Sequence, residues 1–202
     1  MKCLRLLAIV LTLCIGTLRA QDKGDIELGI NGGVNIAGII DNIFSSDTRT
    51  SFNIGATGDF YFSDRWSLKT KIIYDQKGYK TGYLIYNGKT IIEQSTYNLN
   101  YITVPVMANW HFGKKRNWYL HFGPYIGVLT DTKSTSVKSD FNSLDAGIAL
   151  GIGVKIPLSE KCKLFLEYDE QGSLTNIYKG EHNSSTRNLR IGFNAGICFP
   201  IK

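Results

Sequence analysis

Residues 144–156 read LDAGIALGIGVKI. Leu144, Ala146, Ile148, Leu150, Ile152, Val154 and Ile156 alternate with Asp145, Gly147, Ala149, Gly151, Gly153 and Lys155 over all thirteen positions. A period of two marks a β-strand with unlike faces; a helix would scatter these apolar residues around its circumference. One face is bulky and wholly apolar. The other is charged at its ends and almost bare between them. A strand in a soluble sandwich packs its bulky face inward and shows polar groups outside. Here the small face suits a narrow, crowded interior and the bulky face suits lipid.

The same alternation recurs along the chain. It predicts strands over 26–36, 52–62, 66–75, 102–112, 118–128, 144–156, 163–169 and 189–199. Polar loops at 38–50, 132–143 and 173–186 and the long segment 77–96 separate them, in alternation with short turns at 63–65, 113–117 and 158–161. Short and long connections in strict alternation describe an all-β, eight-stranded antiparallel up-and-down transmembrane β-barrel, with short periplasmic turns and longer extracellular loops. Trp66, Trp110 and Trp118 flank the short turns, with Phe62, Phe112 and Phe199 nearby, as a periplasmic aromatic girdle requires. Phe52, Tyr74, Tyr97, Tyr101 and Phe141 are the expected outer girdle. Within 77–96, Asn87-Gly88 is a strong hairpin signal, so Tyr83–Tyr86 and Lys89–Ile92 are expected to pair in a projecting hairpin. Counting pairs down from that turn sets Tyr74 opposite Tyr101, out of step with the apolar face, which predicts a bulge near Asn100–Ile102.

The first twenty residues read as a secretory signal: Lys2 and Arg5, an apolar run from Leu6 to Ile15, and a cut after Ala20. That run is too short to span a bilayer as a helix. Cys14 follows Leu13 where a lipidated cysteine follows a small residue, so simple cleavage is preferred. Residues 21–202 then form one domain. Without Lys2, Arg5 and Arg19, the 23 basic residues fall to 20 against 17 acidic, a net of +3, which is no footprint for nucleic acid. Cys162 and Cys198 remain. Their opposite parity, outward and inward, predicts two free thiols rather than a disulfide.

Several segments resemble the porin-like outer-membrane β-barrel domain family of Gram-negative bacteria. They are Tyr101 with Val104 and Pro105; Tyr119, Leu120, Gly123, Pro124, Tyr125 and Gly127; Asp145, Gly147, Gly151 and Gly153; and Leu174, Thr175, Asn176 and Ile177. The resemblance covers most of residues 21–202. It implies the small barrel and an outer-membrane location, and it is architectural rather than functional.

Chemistry points away from catalysis. His111 and His121 have inward parity, but pairing through 113–117 sets His111 by Tyr119 and His121 by Asn109, so they read as members of a polar interior rather than metal ligands. His182 beside Glu181 has no third partner, and no Ser–His pair falls near the outer leaflet, which argues against a hydrolase. Asn183 and Ser185 spell a glycosylation sequon without meaning in such a barrel. A lipocalin-like soluble barrel, the main alternative, needs an apolar lining and a polar exterior. The parity also turns Glu27, Asp59, Lys69, Lys71, Asp75, Asp145, Lys155, Lys163, Glu167, Asp169 and Arg190 inward. Mixed signs read as a salt-bridged plug; a selective pore would carry more nearly one sign. Gly29, Gly33, Gly55, Gly123, Gly127, Gly147, Gly151, Gly153, Gly192 and Gly196 are inward too, and Tyr61, Tyr119, Tyr125 and Phe165 fill the room they leave. The expected protein is a monomeric, non-enzymatic barrel in outer-membrane lipid, needing no cofactor. The hairpin side chains Tyr83, Tyr86, Asn87 and Lys89 would offer a contact surface to an extracellular or envelope partner.

Overall fold

A computed structural model describes residues 23–41, 46–81, 84–86, 89–92, 95–132, 138–179 and 185–201. The signal segment, Tyr83, Asn87, Glu181, His182 and Asn183 lie outside the described residues. Eight long strands form the wall: β1 (Ile26–Ile40), β2 (Arg49–Tyr61), β3 (Trp66–Thr81), β4 (Thr96–Phe112), β5 (Trp118–Thr132), β6 (Leu144–Ser159), β7 (Cys162–Ser173) and β8 (Arg187–Ile201). Each pairs antiparallel with the next, and β1 pairs with β8, so the sheet closes on itself. No helix among the described residues is long and apolar enough to cross a membrane; the strands cross it.

The stagger of the closure is legible in the register. From Ile26 the paired residues run Phe60, Leu68, Ala108, Phe122, Leu150, Glu170, Ile191 and then Ile36, ten residues along β1 from the start. With a rise of about 3.3 Å per residue and about 4.8 Å between strands, that shear tilts the strands by about 41°.

Outward parity is apolar over most of the wall. Ile30, Ile54, Ile72, Phe122, Ile148 and Phe193 are all exposed, with Ile72 at 61%. Such a surface is stable only against lipid. At the short-turn end Trp66 lies 6.4 Å from Trp110, and Phe112 lies 5.2 Å from Trp110 and 6.4 Å from Trp118, which is the expected inner girdle.

The outer end departs from expectation. Phe52 and Tyr74 pair on the outside at 6.2 Å. Tyr101 and Phe141, however, are 1% exposed and belong to a buried cluster with Tyr79, Leu99, Leu129 and Ile177, against which Tyr97 packs. Tyr101 shares inward parity with Thr103, and Phe141 arrives on a segment that folds over the mouth. Residues 138–143 and 174–179 clip together there. The Asn142 side-chain amide donates to the Asn176 and Tyr178 carbonyls at 2.9 Å each, and Phe141 stacks on Tyr178 at 5.2 Å. Of the five rings expected to mark a second girdle, Tyr101 and Phe141 thus cap the lumen, with Tyr97 packed against them, while Phe52 and Tyr74 stay on the outside.

The strands run further than the sequence alternation indicates. β1 extends to Ile40 and β2 begins at Arg49, so both ends of the polar loop expected over 38–50 belong to the wall. β3 and β4 stay in register from Trp66↔Trp110 to Lys80↔Thr96 with no bulge. The slip inferred from Asn87-Gly88 occurs between Leu84 and Ile85, in the hairpin of Leu84–Tyr86 with Lys89–Ile92. A shift does fall at Asn100/Tyr101, but in the ladder to β5, where Thr130 is the extra residue. One seam is closed by side chains. Backbone pairing of β2 with β3 stops at Asn53↔Asp75 and resumes only where Ser46–Asp47 pairs with Thr81 and Lys80. Between these, the Ser51 hydroxyl donates to the Gln76 carbonyl (2.7 Å) and the Arg49 guanidinium to the Lys77 carbonyl (2.8 Å).

The two faces make opposite demands, which sets a test. Ile148→Arg places a charge on the lipid face within the bilayer and costs about 2–4 kcal/mol. Reversible urea unfolding in liposomes should show that loss, whereas Ile148→Leu, which keeps that face apolar, should cost less. Equal stability of the Ile148→Arg protein would reverse the assignment of inside and outside.

Candidate functional site

The lumen is the site that the wall builds. Every charged residue that the alternation turns inward is in it, and the contacts link them into one chain. Lys163 meets Glu27; Glu27 meets Lys155; Lys155 lies 2.8 Å from Asp59. Asp59 is 3.4 Å from Lys69, and Lys69 is 3.3 Å from Glu167. Glu167 pairs with Lys71, which is 3.2 Å from Asp169. Asp169 pairs with Arg190, whose Nε is 3.2 Å from Asp75. Asp75 is 3.8 Å from Lys77, the longest link, and Lys77 is 2.8 Å from Asp145. Acid and base alternate without exception over these twelve groups, so the chain carries no net charge. It begins beside the short turn at Lys163 and ends near the outer start of β6 at Asp145.

Neutral donors satisfy the lone pairs that the cations leave. Tyr119 donates to Glu167 at 2.9 Å, Asn109 to Asp59 at 2.9 Å, Asn35 to Asp75 at 2.9 Å and Ser67 to Asp59 at 3.1 Å. The Lys77 ammonium also donates to Gln171 at 2.8 Å and lies 4.4 Å from the centre of the Tyr125 ring. Lys69 lies 4.7 Å from the centre of the Tyr119 ring. Glycines make room for these rings. A Cβ on Gly153 would stand 2.3 Å from Tyr119, and one on Gly196 2.5 Å from Phe165.

The histidines take the places the turn dictates. Asn109 pairs with His121, and His111 with Tyr119. His111 Nε2 lies 3.1 Å from both Ser67 and Asn109, and its ring is 4.8 Å from that of Tyr61. His121 is 3.8 Å from Glu167. Among the described residues no three His, Cys, Asp or Glu side chains converge as metal ligands. Cys198 is buried and faces the lumen, Cys162 is half-buried, and both are free thiols.

Sequence reasoning missed Lys77, Asn35 and the neutral donors Ser67 and Asn109. Lys77 shares the parity of Asp75, which is the available signal, but it lies beyond the strand that the alternation predicts over 66–75. Of the expected contact residues, Tyr86 and Lys89 pair across the hairpin, while Tyr83 and Asn87 fall outside the described residues.

The family profile described as "outer membrane protein beta-barrel domain" matches residues 19–179. The chain belongs to this family. It is therefore an outer-membrane β-barrel, and its apolar band faces the lipid of that membrane. No curated protein sequence matches it. Among solved structures it is similar to the outer membrane protein OprG of Pseudomonas aeruginosa, with a TM-score of 0.60 at 10% identity over 90% of this chain and 98% of that one. It is also similar to outer membrane protein W of E. coli, with a TM-score of 0.53 at 14% identity over 90% of this chain and 100% of that one. Neisserial surface protein A gives a TM-score of 0.51 at 14% identity over 88% of this chain and 99% of that one. At these identities the likeness is one of fold.

An alternating chain makes a specific energetic claim. Removing one member leaves an uncompensated buried charge, so Glu167→Ala should destabilise this family member by about 3–5 kcal/mol. Removing a whole terminal link, Lys77→Met with Asp145→Leu, should cost less than the sum of its two single changes. A double-mutant cycle by urea unfolding in liposomes measures both; strict additivity at Lys77 and Asp145 would deny their pairing.

Proposed function

We propose that this protein is a sealed, non-enzymatic outer-membrane barrel whose role is structural or lies in contacts made by its extracellular segments. The observation that carries this reading is the neutral chain of twelve paired charges running the length of the lumen. Eight strands enclose a space that side chains can just fill, whereas open aqueous channels use about 16–18 strands. The aromatic cluster around Phe141 and Tyr178 covers the outer end of that space. Among the described residues every buried acid has a cation or a neutral donor, and Ser67, beside His111, donates its hydroxyl to Asp59.

The hairpin of Leu84–Tyr86 and Lys89–Ile92 and the clipped segments 138–143 and 174–179 form the outer surface available to an envelope or extracellular partner. Delivery by a signal segment removed after Ala20 belongs to the same reading.

Conductance of the purified protein in planar bilayers, together with small-sugar uptake into liposomes, tests it. No stable large steps are expected, and uptake should match that of protein-free vesicles. Large steady conductance or rapid uptake would show an open lumen and overturn the proposal.

A further inference from the structure

One charged side chain of the wall is on the wrong side of it. Apart from Asp47, Lys80, Asp131 and Arg187 at outer strand ends, Glu170 is the only charged residue of outward parity in the described strands of the wall. Its paired neighbours are Leu150 on β6 and Ile191 on β8. The next outward position toward the mouth, Gly172, is paired with Ile148 and Leu189, and Leu174 beyond it is 64% exposed. Apolar side chains therefore continue past Glu170 on all three strands. Its carboxyl lies inside the lipid-facing band and not at its edge. A carboxyl group in hydrocarbon needs a hydrogen-bond or ionic partner, and such groups mark functional contacts by default. Among the described residues its polar contact is the Tyr168 hydroxyl, at 3.4 Å, a long bond to one of its two oxygens.

We propose that this face of β7 docks against the same face of a second copy of the chain. The argument rests on reciprocity. Two copies in one membrane share their orientation, so a two-fold axis between them runs along the membrane normal, and contacts across it come in matched pairs. Tyr168 reaches up its own strand until its hydroxyl is level with the Glu170 carboxyl. Across a two-fold axis the same hydroxyl is then level with the partner's carboxyl, and each copy supplies one donor and one acceptor. The surroundings suit a close approach. A Cβ added at Gly172 would meet nothing within 4 Å, which leaves open space beside Glu170. Next to it Tyr168 and Phe193, ring centres 5.4 Å apart, form a ridge. That ridge borders an outward groove of about 620 Å³ floored by Gly32 and Ala195. Between two apolar surfaces in lipid, small residues that permit contact and polar groups that bond across it are the interactions that favour association over solvation by lipid.

The test is disulfide trapping of the full-length mature protein in dimyristoylphosphatidylcholine vesicles, on a Cys162→Ser, Cys198→Ser background. Gly172→Cys reports on the β7 face, and Ile72→Cys, on β3 across the barrel, reports random collision. Oxidation at low protein-to-lipid ratio should cross-link the Gly172→Cys protein at least fivefold more than the Ile72→Cys protein. Adding Glu170→Leu or Tyr168→Phe should remove that excess. Both changes leave an apolar side chain facing lipid, so heat-dependent gel mobility should stay normal. Cross-linking no greater than that of the Ile72→Cys control would overturn the proposal, as would an excess that survives both second changes. Neither result bears on whether the lumen is sealed.

Discussion

A charge buried in a narrow, side-chain-filled lumen must be offset by an opposite charge within contact distance, and the rest of this structure follows from that requirement. Taking an ion out of water costs several kcal/mol even after relaxation, and only a well-placed partner with its remaining lone pairs satisfied offsets it. Six acids and six bases are placed here so that each acid touches two cations, except Asp145 at the outer end, which touches one. The links join β7 to β1, β1 to β6, β6 to β2, β2 to β3, β3 to β7, β7 to β8, β8 back to β3 and β3 to β6. Few of these strands are neighbours in the sheet. The chain is therefore a set of struts across the barrel, and it restrains the wall in a direction that backbone hydrogen bonds do not.

The struts depend on register. With a shear of ten, a residue meets across the lumen a partner set by tilt as much as by height. A one-residue slip in any ladder would turn a whole strand over and send its inward charges into lipid. The irregularities fall at the ends of the chain or beyond it, and the shift at Cys162/Lys163 sits beside its first link. The slip in the hairpin lies beyond the wall, and the shift opposite Thr130 lies above the charged region. The seam between β2 and β3 is bridged by Ser51 and Arg49 rather than left open. The glycines serve the same end, since Tyr119 could not lie over Gly153, nor Phe165 over Gly196, if either carried a side chain.

The sequence makes the faces legible because parity is local. LDAGIALGIGVKI states which residues look inward as soon as it is read as a strand, and the inward location of every charged residue assigned there from Glu27 to Arg190 follows. Partnership is not local. That Lys71 would pair with Glu167 while Lys69 spans Asp59 and Glu167 depends on shear, which no single stretch encodes. Lys77 escaped notice because a polar residue near a hairpin signal resembles loop, although its parity with Asp75 placed it in the lumen. Tyr101 and Phe141 were assigned to the lipid boundary on residue type, and the structure turns both into the cap, one by parity and one by a folded segment. Glu170 was legible in principle, since it has the parity of Leu166, but a lone acid next to a loop attracts no attention until its neighbours Leu150 and Ile191 are known.

A barrel held in this way presents its outer segments from a braced wall. The central claim is that the interior ammonium groups are locked in a dry, paired network. Proton-detected nitrogen-15 solid-state NMR of the side chains of Lys69, Lys71, Lys77 and Lys155 in lipid bilayers tests it most directly. The account predicts separate ammonium signals for these four, slow to exchange with water and correlated with nearby carboxyl carbons, in contrast to exposed Lys114, Lys115 and Lys161. Interior lysines that exchange as fast as the exposed ones would show a hydrated lumen and contradict it.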